Sequence, residues 1–117
     1  MPLATAAAAP VFERHGFVFR SLAVPSRGSE EIALWTVDVP ENADSESHQV
    51  DKEEVFYVLE GRVRIQGHEA GPGDVVICKP FTDLSISGGP ARLIVATSVG
   101  ITGILADGQK ITGPWSL

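Results

Sequence analysis

The stretch that decides the fold is His48-Gln49-Val50-Asp51-Lys52-Glu53-Glu54-Val55-Phe56-Tyr57-Val58-Leu59-Glu60-Gly61. Its second half is rich in Val and aromatic residues, the types that fit a pleated, half-buried surface. Side chains alternate across a strand, so Glu54, Phe56 and Val58 share one face. Glu60-Gly61 then separates the strand Val55–Leu59 from a second one, Arg62–Gln66. That spacing predicts a tight hairpin, with Gly61 free to take positive φ.

Working outward, the same grammar repeats. Apolar clusters are short, Gly or Pro punctuates them closely, and helical periodicity is nearly absent, which is an all-β pattern. Further strands are expected at Phe17–Leu22, Ile32–Val39, Asp74–Cys78, Leu84–Ser87, Arg92–Thr97 and Ile101–Leu105, with a short one near Gln109–Ile111. Gly71-Pro72-Gly73-Asp74, Gly88-Gly89-Pro90 and Asp107-Gly108 read as turns, Pro presetting one φ and Gly supplying the positive ones. Pro40–Ser47 reads as a loop leading into His48. Short strands joined by tight turns point to a jelly-roll or two-sheet barrel, which limits exposed sheet edges.

The chain has 117 residues, the size of a single domain. It is 44% hydrophobic and 21% charged, a globular rather than a disordered composition. Its net charge of -6 opposes binding to nucleic-acid phosphates or to an acidic membrane surface. Cys78 is the single cysteine, so no disulfide forms within the chain and a cytoplasmic location is expected. The Ala-rich start lacks a basic segment followed by a long apolar core, so it does not read as a signal peptide. Residues 1–12 are expected to be a flexible arm and residues 13–117 one barrel domain. The arm offers a segment that could add to the sheet of a second copy.

Two motifs carry a family resemblance. Glu54 and Gly61, with His48 before them, resemble the first motif of the cupin superfamily. Pro72-Gly73-Asp74-Val75-Val76-Ile77-Cys78-Lys79-Pro80 resembles the opening of the second. The tail Ile111-Thr112-Gly113-Pro114-Trp115-Ser116-Leu117 resembles that of short bacterial single-domain cupins. The resemblance spans roughly residues 30–100. It implies an all-β, cupin-type jelly-roll β-barrel of two antiparallel sheets and a homodimer. It also implies that Glu54 and His48 face the barrel interior. Val50 stands where the family places its second metal-binding histidine, and Leu84 where it places the third.

Two site chemistries follow from this half-kept motif. In one, no cofactor is present, and His48 and Glu54 form a hydrogen-bonded pair in an apolar pocket walled by Trp35, Val50, Phe56, Val58, Cys78 and Leu84. Such a pair can orient a small metabolite or move protons on a carbonyl or enol substrate. In the other, His48 and Glu54 hold a divalent metal (Zn, Fe, Mn or Ni) with a third ligand from Cys78, His68, Asp83 or the substrate. The function expected is a cupin binding a small metabolite inside the barrel. The alternatives are an isomerase, cyclase, lyase or oxygenase acting through His48 and Glu54, and a structural dimeric domain without pocket chemistry. On spacing alone, Glu54 is equally a solvent-facing strand-end charge and His48 a loop residue. His15 and His68 read as surface residues, and Trp115 as a packing anchor.

Overall fold

Gly61, read as a hairpin turn, lies inside one uninterrupted strand in the computed structural model, which describes residues 1–117. The strands run β1 (Val11–Arg14), β2 (Phe17–Ala23), β3 (Ile32–Val39), β4 (Ala43–Asp44), β5 (His48–Val50), β6 (Glu54–Ile65), β7 (His68–Ala70), β8 (Val75–Cys78), β9 (Ile86–Ser98), β10 (Gly103–Leu105) and β11 (Lys110–Ile111). The two strands expected on either side of Gly61 are therefore one, β6. The ladder shifts register between Val58 and Glu60 and again between Gly61 and Val63. Gly61 adopts φ 78°, so its conformational freedom bends the strand rather than reversing it.

The same correction applies to Gly88-Gly89-Pro90. These residues sit within β9, with Gly88 and Gly89 both at φ 86° and a cis Gly89–Pro90 bond. Gly61 pairs with Ala91, and Val63 with Gly88, so β6 and β9 bend at the same level. Beyond the bend they pair with short strands, β6 with β7 and β9 with β4. Other turns are as expected. Asp74 closes the Gly71–Asp74 turn by accepting from the Gly71 N–H at 2.9 Å, and Gly108 turns at φ 87° between β10 and β11.

The large sheet is ordered β1-β2-β3-β9-β6-β7, with β4 on β9 and β8 on β6. The small sheet is ordered β11-β10-β5. All pairings are antiparallel. The core follows the two-residue period: Ala33, Trp35, Val37 and Val39 of β3 are buried, as are Leu93 and Val95 of β9. No helix is long and apolar enough to cross a membrane.

Both ends of the chain are tied to the barrel. β1 starts at Val11, inside the segment expected to be an arm, and pairs with β2 of its own chain through the His15-Gly16 turn. Ahead of it, the Arg27 guanidinium donates to the carbonyls of Thr5, Ser21 and Leu22. At the other end Trp115 stacks on Phe19, ring centroids 3.6 Å apart. The Ser21 hydroxyl donates to the Trp115 carbonyl at 2.7 Å.

Candidate functional site

Cross-strand register builds the site. Glu54 opens β6 and lies between Thr97 of β9 and Cys78 of β8. The next inward row is Trp35, Val95, Phe56 and Val76. Val58 pairs with Leu93 one row further in. On the small sheet, His48 and Val50 share a face, and His48 exchanges backbone hydrogen bonds with Leu84 at 3.0 and 2.8 Å. All six expected wall residues, Trp35, Val50, Phe56, Val58, Cys78 and Leu84, are buried in one apolar cluster.

Glu54 sits at the border of this cluster with only 5% of its surface exposed. Burial alone raises its carboxyl from 4.5 to about 7. The carboxyl is therefore not a solvent-facing strand-end charge. The expected His48–Glu54 pair is not formed. Half-buried His48 instead turns Nδ1 toward the Glu46 carbonyl, at 3.4 Å. The reason is topological: β5 belongs to the small sheet and pairs with β10, whereas Glu54 is held by β8 and β9 of the large one. Thr97, the other lateral neighbour, commits its hydroxyl to the Glu53 carbonyl at 2.6 Å. The Glu54 oxygens are largely but not wholly shut off from solvent, and desolvation of an unpaired carboxylate favours the form that holds its proton.

Cys78 was expected to face inward and does, beside Glu54. Its Sγ lies 3.6 Å from Thr82 Oγ1 and 3.7 Å from the Lys79 carbonyl. Burial pushes its thiol upward, Thr82 opposes this by hydrogen bonding, and the Glu54 charge adds to the rise. It is thus a poor thiolate donor.

This donor set does not fit a divalent metal. Transition-metal sites converge at least three N, O or S ligands. Val50 and Leu84 place buried side chains at 5% and 2% exposure where two imidazoles would stand. Asp83 is exposed and accepts from Gln49 at 3.1 Å, and His68 is exposed on β7. No three His, Cys, Asp or Glu side chains come together anywhere in the chain. Zinc is accordingly expected to leave the melting temperature unchanged. A rise that His48→Ala removes would restore the metal reading.

Two open clefts of about 440 and 430 Å³ lie elsewhere, between residues 2–10 and Arg27. The first is lined by Pro2 and Ala4 together with residues of the 22–34 stretch, the second mainly by residues 3–10, and neither carries any of the groups above.

Sequence reasoning missed Thr97. It has the inward parity of Leu93 and Val95, yet only the β6–β9 register places it beside Glu54.

Two bent antiparallel sheets closed on an apolar interior, with a carboxyl on the inner face, define a small jelly-roll barrel. Neither a family model nor a curated protein matches the sequence. Solved structures do match the fold. The polyketide cyclase RemF from Streptomyces resistomycificus superposes with TM-score 0.74 at 21% identity, over 84% of this chain and 79% of that one. An RmlC-like cupin from Shewanella frigidimarina NCIMB 400 gives 0.69 at 19%, over 82% and 88%. KdgF from Halomonas sp. gives 0.69 at 17%, over 84% and 93%. The chain is a small cupin-fold domain.

Proposed function

We propose that the barrel interior binds a small, largely apolar metabolite bearing a carbonyl or hydroxyl group, through the Glu54 carboxyl. The observation that carries this reading is that carboxyl itself, on a residue only 5% exposed beside an apolar cluster, without a hydrogen-bond partner and with its oxygens not wholly shut off from solvent. A buried polar group left unpaired costs stability, and sites where it is kept are functional candidates. Protonated, Glu54 donates to a carbonyl; ionised, it accepts from a hydroxyl. Trp35, Val50, Phe56 and Leu84 supply the apolar surroundings. His48, half-buried on the facing sheet, is the second polar group.

The test is a panel of small ketones and phenols, screened by NMR shifts of the Trp35 and Phe56 rings. A ligand that perturbs both is expected to bind Glu54→Gln about 10- to 100-fold more weakly, the loss of a hydrogen bond worth about 1.5–3 kcal/mol. If no compound perturbs those rings, or the variant binds equally well, the reading fails.

One observation favours a catalytic version. A carboxyl titrating at about 7 is matched to proton transfer at neutral pH. As the carboxylate, Glu54 would take a proton from the carbon between a carbonyl and a C=C bond, leaving a conjugated enolate. It would then return that proton at the far carbon of the former C=C bond, as the double bond moves into conjugation with the carbonyl. This isomerisation is balanced without a co-reactant. Closure of the enolate onto a second carbonyl of the same molecule would be a cyclisation. RemF, a polyketide cyclase, shares the fold; the assignment here rests on Glu54, not on that likeness. Turnover lost in Glu54→Gln at saturating substrate, beyond its weaker binding (about 10- to 100-fold), would support catalysis over binding alone.

A further inference from the structure

We propose that Phe81 is a ligand-contacting residue, an aromatic plate at the Glu54 end of the barrel that selects planar, aromatic or conjugated carbonyl compounds over saturated ones. The inference rests on the reading of Glu54 as the group that holds the ligand, and it names the class of ligand. Phe81 sits in the short loop between Cys78, the last residue of β8, and Leu84. Both of those residues belong to the apolar cluster beside Glu54. The loop is tied down at three points. The Phe81 N–H donates to the Val50 carbonyl at 2.9 Å, the Thr82 hydroxyl donates to the Lys79 carbonyl at 2.6 Å, and Thr82 Oγ1 lies 3.6 Å from Cys78 Sγ. Cys78 in turn pairs with Glu54, the first residue of β6. These contacts hold Phe81 at the same end of the barrel as the carboxyl.

Two features of Phe81 do nothing for the fold. The first is exposure. Phe81 is 61% exposed, and the other four phenylalanines are buried or half-buried. Its ring leaves in water an apolar surface that burial would stabilise. The second is backbone conformation, with φ at +59°. Three other non-glycine residues have positive φ, and each has a local reason. His15 and Gln66 open two-residue hairpin turns ahead of Gly16 and Gly67, and Asn42 is of a type that adopts this conformation readily. Phe81 has neither reason, and a glycine in its place would be free of the strain. Strain of this kind, held by surrounding hydrogen bonds, gathers at ligand clamps. An exposed ring fixed in this way near a desolvated carboxyl suits a flat ligand whose carbonyl bonds Glu54 and whose ring stacks on Phe81.

The test titrates acetophenone and cyclohexyl methyl ketone into the full chain, following the Trp35 and Phe56 ring resonances. The two ketones share the same carbonyl group and carbon count and differ in whether the ring is aromatic. Wild type is expected to bind acetophenone about 2- to 10-fold more tightly, the advantage of an aromatic pair. Nuclear Overhauser contacts should join the acetophenone ring protons to the Phe81 ring. Phe81→Leu and Phe81→Gly are expected to lose the preference, and ligand-free Phe81→Gly to melt no lower than wild type. Glu54→Gln is expected to weaken both ketones alike and to keep the preference. If Glu54→Gln weakens both ketones but wild type shows no preference, or Phe81→Leu retains it, the role of Phe81 is overturned and the reading of Glu54 stands. If Phe81→Gly melts lower than wild type, the ring serves packing and the proposal is overturned too. If neither ketone shifts the Trp35 and Phe56 rings, the reading of Glu54 falls and takes this proposal with it.

Discussion

Replacing Glu54 with glutamine is expected to remove a pH dependence of stability that wild type shows between pH 4.5 and 8. In the unfolded chain the carboxyl titrates at its ordinary 4.5, and in the barrel at about 7. Between those values the folded protein holds a proton that the unfolded chain has released. Stability therefore falls as pH rises. The stabilising contribution is complete below 4.5 and is lost as pH rises through about 7. At about 1.4 kcal/mol per pH unit, the full swing is about 3 kcal/mol. Every other titrating group is common to wild type and Glu54→Gln, so the difference between them isolates this one. Urea unfolding at pH 5 and pH 8 measures it: the wild-type loss should exceed the variant's by about 3 kcal/mol. Parallel losses would mean that the carboxyl is solvated or paired.

Gly61→Ala is expected to be the most damaging single-methyl change in the chain. An added Cβ would lie 2.1 Å from the Pro90 carbonyl oxygen and 2.8 Å from the Ala91 Cα, at φ +78°. Both obstacles are backbone of the partner strand, so no side chain can rotate away. Either β6 and β9 separate at their bend or the bend is lost, and both disturb the ladder that positions Glu54. A cost of about 3 kcal/mol or more follows, a drop in melting temperature of more than ~10 °C for a domain of this size. Gly73→Ala is the control. Gly73 has φ +89° but nothing within 4 Å of the added carbon. It should cost only the left-handed penalty of about 1–2 kcal/mol. Equal losses at the two positions would show that β6 and β9 are not in close backbone contact there.

These two glycines also mark the limit of what the chain reveals by itself. A glycine at positive φ between two apolar runs reads alike for a hairpin and for a bulge. Gly61 is a bulge because it lies opposite Ala91, thirty residues away in the chain, and no local pattern carries that pairing. Gly71–Asp74 was legible because the turn closes on its own Asp74 side chain. Strand β1 was hidden for the opposite reason: with four residues, two of them charged, it has too little alternation to read, and its pairing with β2 makes it a strand.

Within the site, inward parity was legible: Glu54, Phe56, Val58 and Cys78 all face where alternation places them. The His48–Glu54 hydrogen bond was not. Sequence spacing sets which strand carries a side chain, whereas the bond depends on how two sheets face each other and where a ring turns. His48 turns to the Glu46 carbonyl, and Glu54 is left to hold a proton. That single difference changes the chemistry. A charged pair would be stable at neutral pH, while a lone buried carboxyl is poised between its two protonation states.

The chemistry of the barrel interior therefore turns on the protonation of Glu54. Its direct measure is the carboxyl stretching band in infrared difference spectra, wild type minus Glu54→Gln, followed across pH. A protonated-carboxyl band that persists above pH 6 and disappears with a midpoint near 7 is the predicted result. A midpoint near the ordinary 4.5 would contradict it, and with it the reading of the barrel interior as a binding site built on a desolvated carboxyl.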